Sequence, residues 1–206
     1  MKRIISIFTL LLGGSLLLFI LGLLGCGRSD RKFVYKDIQS IVLRDSSATL
    51  AVQLHDFDTT EYAASFMSLQ MDMQVVAKNA LQGIGNAAYA WSYDEPSYIN
   101  LEPVTDIRIT PIYDYNSAHA AGSELSQDCI FTYSNSGFGG NDVTKTELIS
   151  TLNQPMNMDY GTYVGTISIK VKTPPTAAGL QQFAMEIRLG DNSVLRDTTV
   201  AYFLKP

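Results

Sequence analysis

The chain has 206 residues, with 15 basic and 20 acidic side chains and a formal charge of −5. No basic stripe interrupts this acidic balance, which argues against a nucleic-acid partner. Two cysteines and two histidines exclude a disulfide framework and hardly supply the three or four N/S ligands of a zinc centre.

The first element is a leader. Lys2 and Arg3 precede an apolar run over residues 4–24, and the run stops at Leu23-Leu24-Gly25-Cys26. A charged n-region, an apolar h-region and a small residue at the cut make residues 1–25 an export signal. The alternative is a retained membrane helix, because about 20 apolar residues can cross a ~30 Å hydrocarbon core. Cys26 weighs against that alternative, since an uncut anchor has no use for a cysteine there. The Leu-x-Gly-Cys pattern resembles the lipobox of bacterial lipoproteins. The resemblance implies cleavage before Cys26, a diacylglycerol on its thiol, and anchoring in the envelope by lipid alone. Several acyl chains hold stably where one binds only marginally.

Cutting 25 residues from 206 leaves 181, with 13 basic against 20 acidic side chains and a charge of −7. Residues 26–32 form a short lipidated tether with three basic residues and one acid. A single domain, 33–206, follows. With Cys26 acylated, Cys129 has no partner in the chain. It lies in the apolar run Cys129-Ile130-Phe131 and reads as a buried, inert thiol.

From Phe33 onward the pattern is period-two alternation. Leu50, Val52 and Leu54 alternate with Ala51, Gln53 and His55, and Leu69, Met71, Met73 and Val75 with Gln70, Asp72 and Gln74. Ile167, Ile169 and Val171 repeat the pattern, as do Phe183, Met185, Ile187 and Leu189, and then Val200, Tyr202 and Leu204. One face toward a core and one toward water is the signature of antiparallel sheets. Asp45-Ser46-Ser47 predicts a turn, and Leu189-Gly190-Asp191-Asn192-Ser193-Val194 predicts a hairpin. Thr173-Pro174-Pro175-Thr176 and residues 134–141 read as loops. Thr144-Lys145-Thr146-Glu147 fits a capping box ahead of Leu148, Ile149 and Leu152, with Asn153-Gln154-Pro155 ending the helix. Ser123-Glu124-Leu125-Ser126 reads as a second single turn, and residues 77–90 as loop or weak helix. These elements predict a mainly β protein, an antiparallel immunoglobulin-like β-sandwich with one or two short helices. The chain exceeds a bare sandwich of about 100 residues, so long loops over residues 82–141 carry the excess.

Several segments look like a family of uncharacterised lipoproteins of Bacteroidetes. They are Ala87-Ala88-Tyr89-Ala90, Pro103-Val104-Thr105-Asp106-Ile107-Arg108-Ile109-Thr110 and Tyr113-Asp114-Tyr115-Asn116-Ser117-Ala118-His119-Ala120-Ala121-Gly122-Ser123-Glu124-Leu125. The closing runs 182–189 and 194–204 are similar as well, and the likeness covers about the last two thirds of the mature chain. It implies an exported, lipid-anchored β-rich domain and brings no catalytic residues. Surface-exposed lipoproteins of that group resemble one another in an acidic run after the lipidated cysteine. Gly27-Arg28-Ser29-Asp30-Arg31-Lys32 is basic instead, which favours an outer-membrane lipoprotein facing the periplasm over one on the cell surface.

No catalytic constellation is legible. Gly-x-Ser-x-Gly, His-Glu-x-x-His and phosphate-binding glycine loops are absent. His55 falls on the polar face of a strand and His119 in a polar loop, and both read as solvated. Asp56-Phe57-Asp58-Thr59-Thr60-Glu61 offers alternating carboxylates, with Asp94, Glu95, Asp114 and Asn116 a weaker set. A calcium loop needs a fuller ligand set and a glycine at its sharp turn, so neither a metal nor another cofactor is expected. The candidate binding residues are aromatic: Tyr89, Trp91, Tyr93, Tyr98, Tyr113 and Tyr115. Such rings either present large area to a protein or glycan partner, or cap the core with their hydroxyls in water. The expectation is a non-catalytic binding or assembly module held to the membrane by its lipid. The alternatives are an envelope hydrolase using acidic residues and a purely structural lipoprotein.

Overall fold

The computed structural model describes residues 31–45, 51–76, 97–134, 142–157 and 165–206. The apolar run over residues 4–24, Cys26, Ser46, Ser47, residues 77–90 and residues 135–141 lie outside the described residues. In chain order the strands are β1 (Arg31–Asp45), β2 (Ala51–Gln53), β3 (Thr59–Glu61), β4 (Ser65–Val75), β5 (Ser97–Asn100), β6 (Val104–Pro111), β7 (Cys129–Ser134) and β8 (Asp142–Val143). Helix α1 (Lys145–Leu152) precedes β9 (Met156–Asn157), β10 (Gly165–Val171), β11 (Gly179–Gln181), β12 (Phe183–Leu189), β13 (Val194–Thr198) and β14 (Tyr202–Lys205). The protein is mainly β, in a sandwich-like arrangement. No described helix is long and apolar enough to cross a membrane.

The largest sheet runs β8-β7-β10-β4-β1-β5-β9, with β2 also paired to β1. Two three-stranded sheets, β13-β12-β6 and β11-β14-β3, complete the described fold. Most pairs are antiparallel, as alternation predicts. Two short ones are parallel: β5 on β1, and β3 on β14.

The inward rows are those that the alternation marks. Met67, Leu69, Met71 and Met73 of β4, Ile167, Ile169 and Val171 of β10, and Phe183, Met185, Ile187 and Leu189 of β12 are all buried. Tyr202 and Leu204 join them from β14. Two predicted core positions are not core. Val75 is 47% exposed and Val52 is 43% exposed. Val75 stands at the end of its sheet, and Val52 on a three-residue strand that pairs only with β1. β1 and β2 pair antiparallel nonetheless.

β1 hides its own period. Between Tyr35 and Asp37 the register against β4 shifts, so Lys36 is an extra residue. Phe33 and Tyr35 point inward before the bulge, and Ile38, Ser40 and Val42 after it. One inserted residue exchanges the odd face for the even one.

The local signals hold well. The Thr144 hydroxyl accepts from the Glu147 backbone N–H at 3.3 Å, and the Glu147 carboxylate accepts from the Thr144 N–H at 2.7 Å. Leu148 and Leu152 are buried against β6 and β7. Asn153 ends the helix, and its side-chain amide makes two 2.8 Å bonds to the backbone of Val104, one in each direction. The turn expected at Ser123 falls slightly later, as a 3-10 turn over Ser126–Asp128. The final hairpin closes through Leu189 N–H to Ser193 O at 3.0 Å, with Asn192 at φ 69°. Asn tolerates that left-handed backbone better than most residues. A Cβ on Gly190 would stand 2.9 Å from the ring of Pro103, so only glycine fits under that loop.

Candidate functional site

The structure separates the candidate aromatic residues that it describes. Tyr89, Trp91 and Tyr93 lie outside the described residues. Tyr98 is buried in β5, where the Arg31 guanidinium donates to its hydroxyl at 3.0 Å and lies 5.7 Å from its ring centre. Tyr113 is 39% exposed. Tyr115, two residues on, is 2% exposed. Its ring meets Phe183 edge-on at 5.9 Å, and its hydroxyl donates to Thr173 O at 2.8 Å. Burial, with Tyr62 and Tyr202 nearby, pushes that phenol well above its ordinary range. Tyr115 therefore caps the core and presents no face to a partner. Tyr98, Tyr113 and Tyr115 do not form one surface.

A notch that the sequence did not single out gathers Tyr62, Tyr115 and Tyr202 beside Phe183 and Lys170. The Tyr62 hydroxyl donates to Val171 O at 2.7 Å. The enclosed space is about 20 Å³, little more than one water needs. That lies far below the ~300–1,000 Å³ of small-molecule pockets. The hydroxyls of Tyr62 and Tyr115 already serve backbone carbonyls, so their role is to close one end of the sandwich.

The broader feature is a groove of about 270 Å³ across the outer face of β4, β10 and β7, lined by Phe66, Thr132, Ser168, Ile169 and Lys170. Register explains the grouping: Ser168 stands between Ser68 of β4 and Thr132 of β7. The Thr132 hydroxyl bonds Asp142 at 2.7 Å, and Lys170 lies 5.8 Å from the Tyr62 ring centre while donating to Ala63 O at 3.2 Å. The groove thus combines a half-buried aromatic ring, two hydroxyls and one cation, and most of its open lining is apolar. In sequence Thr132, Ser168 and Lys170 are only the polar half of their alternating runs, and nothing there marks β4, β7 and β10 as neighbours.

The acidic residues have local duties. Asp56 accepts from Ala201 N–H at 3.2 Å, and Asp58 accepts from His55 N–H at 2.9 Å. Asp114 accepts from Ala121 N–H at 2.8 Å, and the Asn116 side chain from Ala118 N–H at 3.0 Å. Glu61 is exposed on β3. Asp58, Asp114 and Asn116 each close a local loop, and Asp56 ties its turn to the segment just before β14. Asp94 and Glu95 lie outside the described residues. Among the described residues, no three His, Cys, Asp or Glu side chains cluster closely enough to hold a metal.

Cys129 is buried, and its thiol is pushed up to about 12, chiefly by desolvation and then by the Asp128 carboxylate. The thiol donates to Leu125 O at 3.4 Å. His55 is solvated as expected, with its side chain 84% exposed. His119 is not. Its side chain is only 13% exposed, and Nε2 lies 2.8 Å from an Asp128 oxygen. The loop that looked merely polar folds back on itself through Tyr115, Asn116 and His119 backbone bonds, and that carries the imidazole inward.

An ion-pair cluster joins α1 to β6. Lys145 Nζ lies 2.7 Å from Asp106 and 2.9 Å from Glu124, and Arg108 lies 2.9 Å from Asp106. Ser126 links this cluster to the core, since its hydroxyl donates to Glu124 and accepts from Ile109 N–H.

No model of a known protein family matches the chain, and no curated protein matches it.

Proposed function

We propose that this chain is a lipid-anchored lipoprotein of the cell envelope, acting as a non-catalytic binding or assembly module. The observation that carries the reading is the leader, an apolar run over residues 4–24 that ends at Leu24-Gly25-Cys26 behind Lys2 and Arg3. The likeness to uncharacterised Bacteroidetes lipoproteins supports the same reading. So does the basic tether after Cys26, which favours an outer-membrane position facing the periplasm. The contact surface in this proposal is the groove over Phe66, Thr132, Ser168 and Lys170, and its partner is a glycan or a protein segment.

Two measurements test it. Mass spectrometry of protein from its native host should find residue 26 as the first residue, carrying a diacylglycerol. A retained leader or a bare Cys26 thiol would sink the anchor. Titration with a broad glycan panel and with envelope extracts should move the resonances of Ser168 and Lys170. If those signals stay still throughout, the binding role fails.

A further inference from the structure

Three of the exposed large hydrophobic residues stand at one end of the described fold. Val75 is 47% exposed, Val76 41% and Leu101 39%. They flank the start of β1 from its two sides. Val76 N–H donates to Lys32 O at 2.8 Å, and Leu101 N–H donates to Phe33 O at 2.9 Å. Arg31 and Lys32 are exposed between them, and Arg31 is held in place by Tyr98. Two adjacent cations beside three bare aliphatic side chains are out of character for a chain that carries −7 beyond residue 25. Glu102 follows Leu101 and is half-buried.

Position adds the second argument. Cys26 precedes Arg31 by five residues, which span at most about 18 Å even when fully extended. β1 then runs for 15 residues, about 46 Å from first to last at ~3.3 Å per step. Its far end, Arg44, pairs with Ser65, just after β3 and the 3-10 turn Tyr62–Ala64. Phe203 stands beside β3, at that distant end.

We infer that the end bearing Arg31, Lys32, Val75, Val76 and Leu101 rests on an anionic phospholipid surface. The inference depends on the reading of Cys26 as the acylated residue. Lipid phosphates meet the two cations, and the aliphatic side chains enter the interfacial layer. The tether keeps this end at high effective concentration against the headgroups. The acidic remainder of the domain is repelled, so β1 stands away from the membrane and the far end is presented to the surrounding space.

The test uses the full, natively lipidated protein in vesicles of phosphatidylethanolamine and phosphatidylglycerol. An environment-sensitive fluorophore is placed at Val76→Cys and, separately, at Phe203→Cys. Both sites are exposed, and Cys129 is buried. A lipid-borne nitroxide should quench the Val76 probe severalfold more than the Phe203 probe. Arg31→Glu with Lys32→Glu, or pure phosphatidylcholine vesicles, should remove most of that difference. Equal quenching at both sites, or a difference untouched by charge reversal, would overturn the inference while the acylated mass of Cys26 still stood. A Val76 probe already shielded without vesicles would overturn it in favour of self-association. A mass without lipid would sink the lipoprotein reading and this inference with it.

Discussion

The carboxylate of Asp197, on β13, accepts both hydrogen bonds that Ser40 can donate, from its backbone N–H and, at 2.7 Å, from its hydroxyl. Ser40 is buried on β1, which at this point pairs with β4 through Leu69 on one side only. Asp197 stands where a neighbouring strand would have been and fastens the β13-β12-β6 sheet to the large one. Removing it leaves a buried N–H and hydroxyl without acceptors. Hydrogen bonds to charged groups contribute about 1.5–3 kcal/mol, and an orphaned buried donor costs as much again as the group it strands. Asp197→Ala should lower stability by about 2–4 kcal/mol on that basis. Asp197→Asn, which keeps one acceptor, should lose less. Urea unfolding followed by circular dichroism checks both, and an unchanged midpoint in Asp197→Ala would show that the sheets are held by packing alone.

The Lys145 cluster sets an acid limit. Hydrogen bonds from Lys145 hold the Glu124 carboxyl below its ordinary range. Burial pushes Asp106 upward, but the Lys145 and Arg108 hydrogen bonds outweigh it and leave it lowered as well. A carboxyl whose folded pKa is depressed adds stability that is present above its unfolded pKa, near 4, and is lost as pH falls through the folded value. Stability should therefore decline in acid below about pH 4, where these two groups take up protons. Lys145→Ala should cost about 1–2 kcal/mol at neutral pH, as a partly buried pair does, and much less near pH 2–3. Unfolding midpoints of both proteins across that range read the difference. A gap that stays constant with pH would assign the loss to the packing of the lysine stem.

Much of the architecture was written in the alternation, because a half-buried sheet leaves a period-two trace in every strand. The β4, β10, β12 and β14 cores and the Thr144 cap follow from residues within a dozen positions of one another. What stayed hidden is what depends on neighbours far along the chain. The Lys36 bulge exchanges faces without any Gly or Pro to announce it. The inward turn of His119 follows from a loop closing through Tyr115 and Asn116, and Asp128 is its partner only once β7 is in place. The groove was illegible for the same reason. Phe66, Ser168 and Thr132 are ordinary outward residues until register sets them side by side. Aromatic density alone did not say which rings are buried: Tyr98 and Tyr115 are core residues and Tyr113 is exposed.

Phe57 carries local strain. It has φ 67° and is 65% exposed, in the turn closed by Asp58 N–H to His55 O at 3.1 Å. A bulky side chain in the left-handed region costs roughly 1–2 kcal/mol, and Asn bears it better. Phe57→Asn should thus stabilise the fold by about 1 kcal/mol, which for a domain of this size raises Tm by about 2–4 °C. Scanning calorimetry measures it. A lower Tm would mean that the ring makes contacts worth more than the strain.

Cys129 gives the sharpest chemical readout. The thiolate is the reactive form, and burial holds this thiol up at about 12, so almost none is ionised at neutral pH. With Cys26 acylated, Cys129 is the single thiol of the mature chain. A disulfide-exchange reagent should therefore leave the native protein untouched and release one equivalent per chain once denaturant is added. Prompt reaction of one equivalent in the native state would expose a second, unprotected cysteine or a core that opens locally. Cys129→Val keeps the shape and the burial, and it gives up only the thiol's bond to the Leu125 carbonyl. It should leave the unfolding midpoint within about 1 kcal/mol of the parent, as volume-conserving core exchanges usually do. It should also abolish the delayed equivalent, while Cys129→Asp, which forces a charge into the same apolar space, should prevent folding.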